Sequence, residues 1–243
     1  MTALVAGVDG CRAGWLCVVV EAESGAAREA FIVPAIGALL GREDLAMIAI
    51  DIPIGIPGIA EPGGRACDAL LRRQLGARQS SVFAVPARAA IAELDYASAS
   101  EAALAHSQPA RKVSRQCFHL FPKIREVDAL MTPQQQSHIV ECHPEGAFWA
   151  MNECRPLDLP KKVKSQAHPP GLALRHLLLA RAGFSAPFLT GHRFPASKAG
   201  EDDFLDACAC AWTARRVLRG EAIRFPDADP PTDATGLKME IWA

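Results

Sequence analysis

Apolar positions fall in short unbroken blocks near the start of the chain and in spaced stripes near its end. Residues 3–8 are apolar around a single glycine, deliver the carboxylate Asp9, and turn through Gly10 and Gly14 into a second apolar run at 15–20. Runs of this length bounded by glycine predict strands covered on both faces. A turn at 21–25 and a run at 29–34 add a third strand, so the opening reads as an antiparallel meander. Residues 35–40 predict a short helix ended by Gly41. Residues 47–55 then repeat the first theme: an apolar strand delivers Asp51 and stops at proline and glycine. A crossover through a helix sets this fourth strand parallel to the first, with Asp9 and Asp51 at the same end.

From 58 to 133 the pattern changes to Gly, Ala, Arg, Ser and Gln broken by helical signals. A segment that long is no bare loop, and it reads as a mainly helical insertion after the fourth strand. Residues 137–141 form another short apolar run, ending on Glu141, with His143 and Glu145 beyond it and a helix expected at 146–151. The polar stretch 152–170 reads as a mobile connector, 171–182 as an amphipathic helix stopped by Gly183, 184–200 as a loop, and 201–219 as a long helix. On that last helix positions 203, 206, 207, 210 and 214 share one stripe, so Asp203 and Asp206 ride with Ala207, Cys210 and Ala214. The Pro- and Asp-rich tail at 227–235 is expected to be extended, and 236–242 is a candidate edge strand.

At 243 residues, half of them apolar, the chain suffices for one large α/β domain, read here as a single unit over 1–243 that includes the insertion. A formal net charge of −1 supplies no overall attraction to nucleic acid, so any phosphate recognition has to come from local patches. No apolar run approaches the roughly 20 residues of a membrane helix. The first residues also lack the basic segment, apolar core and cleavage site of a secretion signal. The expected location is the cytoplasm, with no membrane partner. Eight cysteines, at 11, 17, 67, 117, 142, 154, 208 and 210, contain no CxxC pair and read as reduced, mostly buried thiols. Neither Cys142-His143 nor Cys208/Cys210 has the ligand spacing of a structural zinc site.

Candidate chemistry lies in the acids. A carboxylate at the end of a buried strand sits at the rim of an open α/β sheet, where ligands collect. Asp9 alone equally suits a turn in which it bonds its own backbone; recurrence at Asp51 and Glu141 favours a shared site. Carboxylates gathered in apolar surroundings repel one another unless a cation or a shared proton neutralises them. Asp206, ionisable yet on a stripe that should be buried, has the same need. The helix dipole is sufficient reason for Glu201 and Asp202 in the first turn. Converging carboxylates without a histidine or thiolate set make a hard oxygen site for Mg²⁺ or Mn²⁺. Sites of this kind hold two ions roughly 3.5–4 Å apart in phosphodiester hydrolysis. The candidate ligands are Asp9, Asp51, Asp203 and Asp206, with Glu141 as a further catalytic group. Arg12, Arg65, Arg78, Lys123 and the hydroxyls of Ser80 and Ser81 are candidates for phosphate, since arginine binds it bidentately and keeps its charge. Each such arginine taken singly also suits a solvated helix face. His143 and Glu145 stay open between the site and a helix cap.

Several of these residues fall in recognisable motifs. The succession Gly7-Val-Asp-Gly-Cys-Arg-Ala-Gly-Trp15, Ile50-Asp-Ile-Pro-Ile-Gly55, Arg78 through Phe83, Pro122-Lys-Ile-Arg-Glu-Val-Asp128, Glu141-Cys-His-Pro-Glu145 and Asp203-Phe-Leu-Asp206 resembles the DUF429 family of predicted ribonuclease H-like nucleases. Asp203-Phe-Leu-Asp-Ala207 is similar to the last-helix motif of the Holliday-junction resolvase branch of that superfamily. The resemblance implies a ribonuclease H-like α/β fold, with a mixed sheet of about five strands flanked by helices. It also implies a metal site on Asp9, Asp51 and Asp203 or Asp206, with Glu141 adjacent. The generic pattern carries a glutamate on the first helix; residues 35–40 have none, which leaves the fourth ligand open. The leading expectation is a metal-dependent nuclease acting on DNA or RNA. One alternative is an actin-like phosphotransferase, which uses two such domains and glycine-rich phosphate loops where this chain has room for one domain and no clear second loop. The other is a non-catalytic binding module, for which the small number of aromatics gives no stacking platform.

Overall fold

A computed structural model describes residues 2–164 and 166–243. The chain opens with β1 (Leu4–Cys11), β2 (Gly14–Glu21) and β3 (Ala27–Val33), which pair antiparallel as a meander with Asp9 opposite Leu16. The short helix α1 (Gly37–Leu40) carries it over to β4 (Leu45–Ile50), which runs parallel to β1 with Val8 beside Ile50. Between β4 and β5 (Ile139–Glu141) lie α2 (Ala66–Gln74), α3 (Arg88–Ala92), α4 (Tyr96–Ala105), α5 (Arg115–Phe118) and α6 (Phe121–Asp128). β5 is parallel to β4, with Glu141 beside Ile50. The resulting mixed sheet, in the order β3-β2-β1-β4-β5, has the ribonuclease H-like arrangement.

The unbroken apolar runs follow from burial on both faces. Val5, Leu16, Val18, Met47 and Ala49 face one core; Ala6, Val8, Trp15, Cys17, Ile48 and Ile50 face the other. Residues of α1, α3, α4, α5 and α6 close the second core. The first is closed by α7 (Pro144–Met151), α8 (Pro169–Arg181), α9 (Ala186–Gly191) and α10 (Glu201–Leu218). Gly7 sets how closely α10 lies on the sheet. A Cβ at Gly7 would come within 1.9 Å of Ala211 N and 2.2 Å of Ala207 O, so the strand and helix backbones touch. Ala207, Cys210, Ala211 and Ala214, all buried, keep the helix side of that seam equally thin.

Three stretches differ from the sequence reading. The loop expected at 184–200 contains α9, started by Ser185 Oγ accepting from Phe188 N at 3.3 Å and held by burial of Phe188 and Leu189. The connector at 152–170 contains the small hairpin β6 (Lys162–Val163) and β7 (Gln166–Ala167). The tail adds no strand to the main sheet and meets its edge through a single parallel bridge between Trp242 and Cys142, just past β5. Asp233 Oδ1 accepts from Thr235 N at 2.8 Å and Leu237 N at 3.0 Å, which curls its beginning into a turn. Thr232 and Lys238 bridge antiparallel across that turn, and the last residues form β9 (Ile241–Trp242), paired with β8 (Arg224–Phe225) in a separate two-stranded sheet. Among the described residues no helix is long and apolar enough to cross a membrane. All eight cysteines are free thiols, with Cys154 alone exposed.

Candidate metal centre

Parallel pairing brings the first two acids together. Asp51 N donates to Val8 O at 2.9 Å, so the carboxylates of Asp9 and Asp51 leave adjacent strands at the same end of the sheet. The third comes from α10, whose seat against Gly7 places its second turn over those strand ends. One oxygen from each of Asp9, Asp51 and Asp206 lies within 4.8 Å of the other two. Asp9 is 7% and Asp206 2% exposed, and Asp51 is half-buried. The triad lines a cavity of about 380 Å³ whose walls also carry Asp203, Glu145, Lys161, Lys123, Ser81 and His143.

Burial, reinforced by Asp51, Asp206 and Asp203, holds the Asp9 carboxyl well above the ordinary range. Asp51 is also raised, chiefly by burial, with His143 and Lys161 pulling the other way. Burial pushes Asp206 up to about 7 against the pull of Lys161, and Asp51 adds to the rise. Lys161 Nζ donates to Asp206 Oδ2, while Asp206 Oδ1 is buried without a hydrogen-bond partner. Glu145 Oε2 is in the same condition. Its other oxygen, Oε1, accepts from Nε and Nη2 of the fully buried Arg175 at 3.1 and 2.5 Å.

Those orphaned oxygens, together with three converging acids, fit a hard divalent cation. Oxygens that share one octahedral ion at about 2.0–2.1 Å lie no more than about 4.2 Å apart. At most one pair among three such oxygens spans that distance and the others sit about 2.9 Å apart, so the triad oxygens, within 4.8 Å of one another, would draw together around an ion. The buried acidic group could bind a divalent metal.

The remaining sequence candidates are distributed unevenly. Asp203 faces the cavity but stands outside the triad: its Oδ2 accepts from Gly200 N at 2.8 Å and caps α10. Of the two acids left open on the last helix, Asp206 is the one that joins Asp9 and Asp51. Both oxygens of Glu141 are engaged. Its Oε2 accepts from Ile54 N at 2.7 Å and Arg65 Nη1 at 2.8 Å, and its Oε1 from Arg65 Nη2 at 2.5 Å. Burial pushes Glu141 up to about 7 against the pull of Arg65. The other Arg65 contacts are Asp68 and the carbonyls of Ile54 and Gly55, so Arg65 and Glu141, which both line the cavity, spend their polar atoms on each other and on bracing the loop after β4. Ser81 and Lys123 also line the cavity; Lys123 Nζ donates to Gly14 O at 2.6 Å and lies 4.3 Å from the Trp15 ring centroid. Arg12, Arg78 and Ser80 do not. Exposed Arg12 donates to Ala196 O at 3.0 Å, Arg78 is half-buried in a 3₁₀ turn (Gly76–Ser81), and Ser80 points to solvent.

Sequence reasoning missed Lys161 and Arg175. Nothing in a lysine-rich polar connector singles out Lys161. Arg175 did leave a signal, because it interrupts the stripe of Leu172, Leu178 and Leu179 on the buried face of α8. His143 proves to be the cap of α7. Its Nδ1 accepts from Glu145 N at 3.2 Å and its Nε2 lies 3.3 Å from Ser81 O, a pattern that fits a proton on Nε2.

A family model described as "Protein of unknown function (DUF429)" matches residues 7–231. The chain belongs to the DUF429 family. The match begins just ahead of Asp9 and takes in Asp51, Glu141, Glu145, Lys161 and Asp206, so the whole centre lies within the DUF429 region. Neither curated proteins nor solved structures yield a match to the chain.

Proposed function

We propose that this DUF429 protein is a divalent-metal-dependent phosphodiesterase acting on DNA or RNA, with Mg²⁺ or Mn²⁺ held by Asp9, Asp51 and Asp206. The observation that carries this reading is the convergence of three carboxylates from separate elements, with a buried Asp206 oxygen left unpartnered, in an open cavity. When bound, the cation supplies Lewis-acid stabilisation of phosphoryl charge and activates water. The chain's own residues do the positioning. Asp9 and Asp206 are fixed by the strand and helix backbones that carry them, and half-buried Asp51 stands nearest the solvent. Lys123 has donors beyond its bond to Gly14 O and offers N–H groups to phosphate oxygens across the cavity, whereas the single O–H of Ser81 is donated to Arg78 O at 2.8 Å. Asp203 keeps the start of α10 in place, and the Arg65–Glu141 pair keeps the loop after Asp51 in place.

The test is cleavage of labelled single-stranded, duplex and branched DNA and RNA in Mg²⁺ and in Mn²⁺. Wild-type protein should cut at least one of these substrates, and Asp9→Asn should lower the rate by ~100-fold or more, as expected when a principal transition-state charge stabiliser is lost. Equal inertness of both proteins across the panel refutes the reading.

A further inference from the structure

The ammonium of Lys161 occupies a built position. Backbone contacts clamp residues 159–161 from several sides. Arg175 Nη1 donates to Leu159 O at 3.1 Å, His168 Nδ1 lies 2.9 Å from Pro160 O, and His168 N donates to Lys161 O at 2.9 Å. The first turn of α8 also presses on Pro160, since a Cβ on Gly171 would come within 1.8 Å of Pro160 O. Next door, Lys162 Nζ pairs with Asp202 Oδ2 at 2.5 Å and ties the hairpin to the start of α10. From this anchorage the side chain, about 26% exposed, reaches into the cavity and donates to Asp206 Oδ2. Glu145 and Asp9 add their fields to that of Asp206 at the ammonium. Glu145 Oε2, on the same cavity wall, has no partner of its own.

A two-ion centre needs a carboxylate shared between ions roughly 3.5–4 Å apart. Asp206 has one oxygen already committed to a cation of the chain itself and one left free. We propose that Lys161 is a resident cation of the centre: its ammonium takes the place of a second divalent ion, and the chain binds a single divalent ion through Asp9, Asp51 and the free oxygen of Asp206. A compact ammonium with three donors can hold Asp206 and still donate to a phosphate oxygen, which gives the second cationic contact without a second metal. This inference rests on the metal-dependent reading above.

Mn²⁺ stoichiometry, measured by calorimetry and by electron paramagnetic resonance, tests it without reference to activity. Wild-type protein should bind one Mn²⁺ per chain. Lys161→Met, confirmed as folded by circular dichroism, should bind two; Lys161→Arg, which keeps the charge, should bind one; and adding Glu145→Gln to Lys161→Met should return the count to one. Two ions in the wild type, or one in Lys161→Met, overturns the role of Lys161 and leaves metal-dependent hydrolysis standing. If no Mn²⁺ binds the wild type, both readings fall. The wild-type count decides against the proposal on its own, even if Lys161→Met does not fold.

Discussion

Asp206 combines burial, an ion pair and an orphaned oxygen in one carboxyl group, and its pH behaviour follows. Its carboxyl ionises near 7 in the folded chain against an ordinary value of 3.8, with burial as the main cause. The folded state therefore binds this proton more tightly than the unfolded state. The associated stability is complete below the ordinary value and is lost as pH rises through about 7, at about 1.4 kcal/mol per pH unit for each such group. Thermal melts in chelator should thus show metal-free protein losing stability from about pH 4 to about 7, between the ordinary and the folded value of Asp206, and levelling off above that, and Asp206→Asn should flatten the decline. An equally steep decline in the variant would place its origin elsewhere. Arg65 supports a second residue-scale prediction. Arg65→Met leaves Glu141 and Asp68 as buried acids without their counter-charge. The cost should be about 3–5 kcal/mol in urea unfolding, whereas exposed Arg12→Ala should stay within about 0.5 kcal/mol. At this scale the strand-end acids were readable from sequence, because an apolar run ending on a charge is a local signal. The partners were not: Lys161 meets Asp206 from 45 positions away, and Arg65 meets Glu141 from 76. Arginines read as phosphate contacts are, in the case of Arg65, internal braces.

Among the elements, the pairing of α10 with β1 governs the centre. Gly7→Ala forces a methyl group against the backbone of α10, which cannot rotate away as a side chain would. Overpacking of this kind costs about 1–3 kcal/mol or more. It also lifts Asp206 from Asp9, so Gly7→Ala should weaken Mn²⁺ binding measured by calorimetry even where the variant remains folded. Unchanged Mn²⁺ affinity would show that the seam does not set the spacing. Strands β1, β2 and β4 and helix α10 were legible because each is long or continuous enough to carry a period. The two-residue strands of the connector hairpin carry none, and α9 is held by a cap and two buried side chains rather than by propensity. The tail strand was half legible: its last residues are extended, but the turn at Asp233 takes them to a different partner.

Across the whole molecule, the sheet separates two cores and leaves the acids at one rim, roofed by segments from both sides. Helices between β4 and β5 supply Lys123 and Ser81's neighbourhood, and the α7–α8 connector supplies Lys161. Ligand binding to such a rim stabilises only the folded chain. Mn²⁺ at 100 times its dissociation constant should therefore add about 2.7 kcal/mol to unfolding free energy, an increment that Asp9→Asn should abolish. Absence of any Mn²⁺-dependent shift in the wild-type melt would count against the centre.

The contact between Gly7 and the α10 backbone has one more consequence. Where main chain rests on main chain, the backbones that carry Asp9 and Asp206 cannot slide closer together or further apart without unseating an entire helix. Any adjustment to a bound cation therefore falls to rotation of the aspartate side chains, not to movement of β1 or α10. A glycine that touches no ligand thus fixes the positions from which the carboxyl groups start.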